Sequence, residues 1–564
     1  MKFRFEFLFP LLLFIPQNLW GQEIFGVILQ VEGVPKQEAV YFKTQELASF
    51  QADSTLMQIR NKGYLQAQIL KEIGGDTLLL RVKSGPVFSW NELELSSIPE
   101  EFVQDKGRPG ADYPAPYLWI EDLLDFAENR GWPFAEVKID SIGIQGTQLS
   151  GKMNFEAGPL ITWDSLSIAG SAKTRVGYLQ SLSRLEVGRP FSQTRLEHST
   201  QLLRKSPYFS LVGPPEVSFQ QQRAIPVFTL QERKLNVFDG VIGFLPNENE
   251  PGKLLITGQV DLRLFHLGGK GRDILLQWQR LNVQSQALDL NYKESFLFRS
   301  PLDAQVHFSL LRQDSSFVNR SFVLDFGYRI SDSGYLNFFT RRQAGDLIDQ
   351  GGMGLEELPS FIDFRWNQYG IGGEWNYLDD VRFARKGWRV SGDFAAGNKR
   401  ILENTGIPVE LYEGLSETST QIQGKLEVEK HIYLKPVWGM WIRGAGGIIE
   451  NRNLFLNELF RIGGLKSIRG FNEKFFFAQQ YTYINMEQRL FFGQNSYLMV
   501  FGDLGILDNP YFSPRIDQPF SFGSGINLDT EGGLFSFVFA LGKSNIQPLS
   551  FEYARVHFGY LARF

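Results

Sequence analysis

Residues Leu288–Lys293 read LDLNYK and residues Ala304–Leu310 read AQVHFSL, and both alternate strictly. Leu288, Leu290 and Tyr292 oppose Asp289, Asn291 and Lys293, while Ala304, Val306, Phe308 and Leu310 oppose Gln305, His307 and Ser309. A period of two is that of a β-strand with one apolar and one polar face. The pattern extends in both directions. Val260, Leu262 and Leu264 oppose Asp261 and Arg263; Phe322, Leu324, Phe326 and Tyr328 share a face; Ile422, Leu426 and Val428 oppose Gln423, Lys425, Glu427 and Glu429. The segments run to ~9–11 residues, the length a tilted strand needs to cross a bilayer. Charges throughout the polar face suit a wet lumen. Phe296, Phe298, Trp375, Tyr377, Trp438 and Trp441 stand near segment ends, where an interfacial girdle is expected. At roughly 20 residues per strand and turn, 235–564 predicts an all-β antiparallel transmembrane barrel of about 16 strands.

Composition agrees. Aromatic residues make up 14% of the 564 residues, with 50 Phe and 56 Gly, while charged residues are 21%. Beyond the N-terminus no run approaches the ~20 apolar residues of a spanning helix. A net charge of −5 supplies no basic field, so no nucleic-acid partner is expected. Cysteine is absent, which excludes disulfides, thiolate metal sites and a cysteine nucleophile.

Residues 1–22, MKFRFEFLFPLLLFIPQNLWGQ, combine a charged start (Lys2, Arg4) with a short apolar core and Gly21 before Gln22, the pattern of an export signal peptide. From Glu23 to Lys234 the texture is α+β, and a unit recurs. Leu56–Trp90 carries GYLQAQI, Asp122–Ile139 carries GWPFAEVKI, and Leu202–Gly213 reads LLRKSPYFSLVG. Gly63 and Gly131 lie 68 residues apart and Phe134 and Phe209 lie 75 apart, a period near 70. Each unit reads as helix, tight turn, strand, hairpin and strand, with Gly63 and Gly131 at the helix ends of the first two supplying the left-handed turn. Three units are expected, over 23–88, 89–160 and 161–234.

Two further stretches carry the functional reading. The chain ends VHFGYLARF: Val556, Phe558, Tyr560, Ala562 and Phe564 share one face, His557 and Gly559 the other. Arg461–Phe471 reads RIGGLKSIRGF, followed by INMEQRLFF (Ile484–Phe492) and Phe501-Gly502-Asp503. Ile468-Arg469-Gly470-Phe471 resembles the RGF/Y inner-loop motif of the BamA/TamA family of outer-membrane assembly proteins. Phe501, Gly502 and Asp503 resemble that family's (F/G)xD strand motif, Glu487 stands at its acidic position, and the three repeats resemble POTRA units (β-α-α-β-β). The likeness covers essentially all of 23–564. Three repeats look more like the TamA branch than like BamA. The related two-partner secretion transporters have two POTRA units and a plug helix, for which no candidate precedes the first repeat.

The resemblance implies a bacterial outer-membrane protein with a periplasmic POTRA arm that inserts, assembles or translocates proteins without a cofactor. Its partners would be outer-membrane lipid, unfolded outer-membrane clients or a passenger protein, and periplasmic or lipoprotein partners at the POTRA units. Arg469 would anchor the inner loop to Asp503 and Glu487, a pairing that suits a planar guanidinium. His557, Phe558, Gly559, Tyr560, Ala562 and Phe564 would form the terminal-strand recognition signal. The alternative is a single-substrate secretion pore or a passive channel. Catalysis is not expected: the five histidines have no metal-ligand spacing, Gly542-Lys543-Ser544 lacks the first glycine of a P-loop, and Gly523-Ser524-Gly525 lies within an alternating strand.

If the terminal strand is the signal, deleting Phe564 will lower the protein's own membrane insertion. The check is surface level, heat-modifiable migration and accumulation of a protease-sensitive species; unchanged migration at normal level refutes it.

Overall fold

The computed structural model describes residues 25–31, 40–42, 45–74, 77–246, 254–280, 285–348, 355–380, 383–493, 495–530 and 533–563. The leader reading of 1–22 and the terminal Phe564 lie outside them. The chain forms two compact units, one holding the first two sheets, the other holding most of the third repeat with the barrel.

In the first unit, Phe25–Val31 runs parallel to Thr77–Lys83, with Gln68–Gly74 antiparallel beside it and the helix Gln45–Asn61 between. Next, Ser89–Ser96 runs parallel to Gln148–Glu156, whose other neighbour is Glu136–Gln145; the helices Glu100–Lys106 and Ala115–Glu128 intervene. The two sheets share a topology in which the opening strand pairs in parallel with the closing one. Gly63 and Gly131 occupy the same place in each, just past a helix, at φ +100° and +101°, a conformation closed to residues with a Cβ. Phe102, Trp119, Leu123, Met153 and Phe155 form the core of the second sheet, with Phe102 edge-on to Trp119 at 4.9 Å.

In the second unit, Ser167–Gly170 runs parallel to Arg223–Glu232, repeating that topology, with helices Val176–Ser183 and Gln193–Lys205 between. The chain then enters a closed antiparallel barrel. Among the described residues it contains sixteen long strands, from Val237–Pro246 to Arg555–Arg563, and a two-residue segment, Ile516–Asp517.

The period-two pattern sorts side chains across the wall. Phe322, Phe326, Leu426, Val428, Ile484, Met486, Leu504 and Ile506 are exposed on the outer face, whereas Gln368, Gln421, Gln423, Asn485, Glu487 and Asp503 are buried on the inner one. This inverts a soluble protein and fits a barrel with a polar interior. Trp441 departs from the girdle expectation. Its indole Nε1 donates to Glu429 Oε2 at 3.2 Å and its ring lies 5.2 Å from the Arg443 guanidinium. Trp441 shares the inner parity of Arg443 and Ala445, and parity outweighs nearness to the strand end.

The third repeat is fastened to turns at one end of the barrel. His266, in the turn after Leu254–Leu264, stacks on Tyr208 at 4.6 Å and is edge-on to Tyr178 at 4.9 Å. The Gly271 N–H donates to His266 Nδ1 at 3.0 Å, which places the ring proton on Nε2, 2.8 Å from Thr174 Oγ1; that hydroxyl donates to Glu232 Oε1. Burial holds the imidazole pKa below its ordinary value, consistent with a neutral ring. The Tyr208 hydroxyl, its pKa raised by burial, donates to Asp273 Oδ2 at 2.9 Å. Arg184 Nη1 and His198 Nε2 meet Asp332 at 3.1 and 2.5 Å, and Arg233 Nη2 meets Asp380 at 2.9 Å.

Gly271 is the tightest point of this junction: it has φ +70°, and a Cβ there would lie 2.1 Å from the Tyr178 ring. Gly271→Ala is expected to cost about 1–3 kcal/mol as an overpacking change. The third repeat should become protease-sensitive while the barrel stays heat-modifiable; unaltered proteolysis would show that the junction absorbs the methyl.

Candidate functional site in the barrel lumen

Between the strands Trp438–Glu450 and Gln480–Phe491 the chain leaves the wall. The short pair Phe460–Ile462 and Phe476–Ala478 forms the stem of an inner loop. The segment between is shaped by hydrogen bonds within it, from backbone N–H groups to one carbonyl and two side-chain oxygens. The Gly463 N–H donates to Ser467 Oγ at 2.8 Å, Gly464 N–H to Ile468 O at 3.0 Å, and Leu465 N–H to Glu473 Oε1 at 2.8 Å. These bonds present Ser467–Phe471 as a compact tip.

The tip carries Arg469 onto two neighbouring wall strands. Asn485 stands opposite Asp503, and Glu487 opposite Phe501, so the inner parity of both strands brings the two carboxylates to one patch. Asp503 takes three bonds from Arg469: the backbone N–H at 2.9 Å and Nε at 2.8 Å to Oδ2, and Nη2 at 2.6 Å to Oδ1. Nη1 reaches Glu487 Oε1 at 2.5 Å. Glu487 is shared with Arg489, whose Nε donates to Oε2 at 2.8 Å. The Arg469 guanidinium also lies 3.7 Å from the centroid of the Phe501 ring, a cation–π contact. Arg469, Glu487 and Asp503 are all buried, Asp503 completely.

On either side of Arg469 the loop is held apolarly. Ile468 and Phe471 are fully buried, in a cluster with Ile462, Phe476, Tyr483 and Leu507. Gly470, at φ +83°, lies so close to the strand Gly533–Lys543 that a Cβ would stand 2.8 Å from the Gly542 nitrogen.

The structure thus brings together Ile468, Arg469, Gly470, Phe471, Glu487, Phe501 and Asp503. Gly502 stands opposite Met486 in the same ladder. The terminal-strand residues lie apart from this patch in chain order, on Arg555–Arg563, where Phe558, Gly559, Tyr560 and Ala562 pair in register with Phe537, Ser536, Phe535 and Gly533, and His557 with Val538.

Sequence reading missed three participants. Asn485 Nδ2 donates to Ser467 O at 2.7 Å, and its Oδ1 accepts from Arg443 Nη2, also at 2.7 Å. Gln547 donates to Gly470 O at 3.1 Å. Asn485 and Arg443 were visible as polar residues of inner parity; nothing in the order of residues marked Gln547. Among the described residues no group of side chains could hold a metal ion.

No protein-family model and no curated protein matches the sequence. Solved structures do. CdiB from Escherichia coli is 12% identical with a TM-score of 0.52, and CdiB from Acinetobacter baumannii is 11% identical with a TM-score of 0.51. Each comparison covers 92% of this chain and 98% of the other. BamA from Haemophilus ducreyi lacking POTRA domains 1–3 is 14% identical, over 85% of this chain and all of that one, with a TM-score of 0.47.

Removing the guanidinium would leave Asp503 buried and uncompensated, a change of about 3–5 kcal/mol for a broken buried pair. Arg469→Ala should therefore lower resistance to urea in vesicles and expose the loop to protease, with the barrel still inserted. Asp503→Asn in that background should restore part of the loss, because the orphaned charge is gone. Strictly additive effects would show that the two groups do not act as a unit.

The fold is that of the CdiB structures, and in this chain α+β repeats precede a closed antiparallel barrel.

Proposed function

We propose that this protein resides in a bacterial outer membrane with its POTRA-like repeats in the periplasm, and that it inserts or translocates proteins by pairing their strands with an exposed edge. The observation that carries the reading is the seam. The first barrel strand pairs with the second over ten consecutive positions, and the last pairs with its predecessor over eight. Among the described residues first and last meet at two, Val237↔Arg563 and Phe238↔Ala562. Beyond those pairs the facing edges of both strands carry backbone donors and acceptors outside the ladder. An edge of that kind is a template for an incoming strand, and the edges of the POTRA-like sheets offer the same chemistry to clients or lipoprotein partners.

The inner loop serves this reading as an internal brace. Arg469 holds the tip against Asp503 and Glu487, so that the lumen is occupied and the wall beside the seam keeps its shape. The terminal strand would be both one lip of the seam and the protein's own recognition signal. A passive channel needs neither an unzipped seam nor a loop across its lumen.

Lack of cysteine makes the test clean. If the ladder continued in its existing register, Ile242 would face Phe558, since each pair in it sums to 800. Cysteines at these two positions, cross-linked by oxidation, should abolish insertion of client barrels into vesicles, and reductant should restore it. Full client insertion by quantitatively cross-linked protein would overturn strand-edge pairing at the seam in favour of a channel, which conducts equally when locked.

A further inference from the structure

The turn between the last two strands is tied to the tip of the inner loop by a single side chain. Gln547 is buried, and its Nε2 donates to Gly470 O and to Gly542 O, both at 3.1 Å. Two carbonyl acceptors leave no doubt which end of the amide faces them, since an oxygen there would be repelled by both. Gln547 is itself fixed in the turn: its N–H donates to Ser544 Oγ at 3.1 Å, and its carbonyl accepts from Ser544 N–H at 2.8 Å. The backbones it joins touch, because neither has a side chain in the way. A Cβ on Gly542 would lie 2.8 Å from the Phe471 ring and 3.0 Å from Gly470 O.

This position matters because of where the ladder ends. The last two strands pair from Gly533↔Ala562 to Ala540↔Arg555, so Leu541–Lys543 run past the start of the last strand. The Gln547 amide supplies a donor to Gly542 there, in place of a strand. Among the described residues the last strand is held to the first only at its far end, through Phe238↔Ala562 and Val237↔Arg563. Its starting end, around Arg555 and Val556, is therefore located by the preceding strand and by the 544–554 turn, and Gln547 fastens that turn to Gly470, next to Arg469.

We infer that Gln547 is a positioning residue that couples the inner-loop tip to the last hairpin, and through it to the unzipped half of the seam. A loop seated on Asp503 and Glu487 holds the last strand in its closed position; releasing the Gly470 carbonyl from Gln547 frees that strand to swing. The inference rests on the seam reading above, but its physical content is a distance and can be measured without a client.

The test uses the full chain in vesicles with two pairs of spin labels, read by double electron–electron resonance. One pair, Phe244→Cys with Val556→Cys, spans the unzipped half of the seam, as the two positions that would face each other in the existing register. The other, Leu465→Cys with Ile546→Cys, spans loop and turn at two exposed residues. Gln547→Glu keeps the shape of the side chain but turns an acceptor toward two carbonyls. Loss of the two bonds should raise the separated population at both pairs by about tenfold. Gln547→Ala should do the same to a smaller extent, and it carries the test if the glutamate variant does not insert. Separation at the loop pair with an unchanged seam pair overturns the coupling, as does no change at either pair. A wider seam with client insertion unaltered upholds the coupling and removes the proposed function instead.

Discussion

A barrel wall of sixteen long strands encloses more space than its own inward side chains can fill, and every charge buried away from water on its inner face needs a partner. The Arg469 guanidinium satisfies both requirements. It brings a loop into the lumen and gives Asp503 and Glu487 their counter-charge. Burying a carboxylate as deeply as Asp503 is costly without a paired and hydrogen-bonded counter-charge, and the guanidinium fork with the Arg469 N–H supplies three donors to it. Ile468 and Phe471 grip the same tip apolarly on either side of the arginine. Either interaction alone would be poor: an apolar tip without the ion pair leaves buried carboxylates uncompensated, and an ion pair without the apolar cluster leaves the loop's hydrophobic residues in a wet lumen.

A second buried pair holds the chain where it leaves the wall for this loop. Lys399 Nζ meets Glu458 Oε2 at 2.5 Å with both side chains fully buried, and Lys399 also donates to Asn453 O. The same Glu458 oxygen accepts the Phe455 N–H at 2.8 Å, while Asn457 exchanges bonds with both backbone groups of Ile362. The segment 453–478 is therefore fixed at its start by one lysine–glutamate pair and at its tip by an arginine with two carboxylates. Such sets contribute less to net stability than to selecting one arrangement, because a misplaced loop would orphan charges at both ends.

How far this could be read in the sequence follows from the range of each interaction. The wall was legible because its signal is local: a period of two, repeated strand after strand, sorts Leu426 and Val428 from Gln423 and Glu427 whatever the neighbours are. The carboxylate patch was half legible. Parity placed Glu487 and Asp503 on inner faces, but that Arg469 meets them depended on family likeness, since nothing in eighteen or thirty-four residues of separation specifies a contact. Lys399 with Glu458, and Gln547 with Gly470, were invisible for the same reason. Gly542 was noticed only as part of a false phosphate-loop pattern; its actual role is to let Gly470 approach. Trp441 was misplaced by weighing its nearness to a strand end above its parity, although Arg443 and Ala445 beside it carried the right answer.

The barrel's hydrogen bonding is unequal around its circumference, and that inequality links structure to proposed activity. Opposite the seam, Gly387–Leu402 pairs with Thr418–Lys435 at fourteen positions; at the seam, among the described residues, there are two. In a hydrocarbon setting an unsatisfied backbone group costs several kcal/mol, so an unzipped edge is a reservoir of binding energy for any chain that can adopt β geometry. Water in the lumen and the nearby inner loop moderate that cost on one side only. Full closure would remove the reservoir, and a longer gap would destabilise the barrel. Two pairs at one end, with the other end located through a turn that Gln547 ties to the loop tip, form an arrangement in which the edge stays available without the wall coming apart. Under the proposed function, strand exchange would need no energy source beyond the backbone groups that an incoming strand would satisfy.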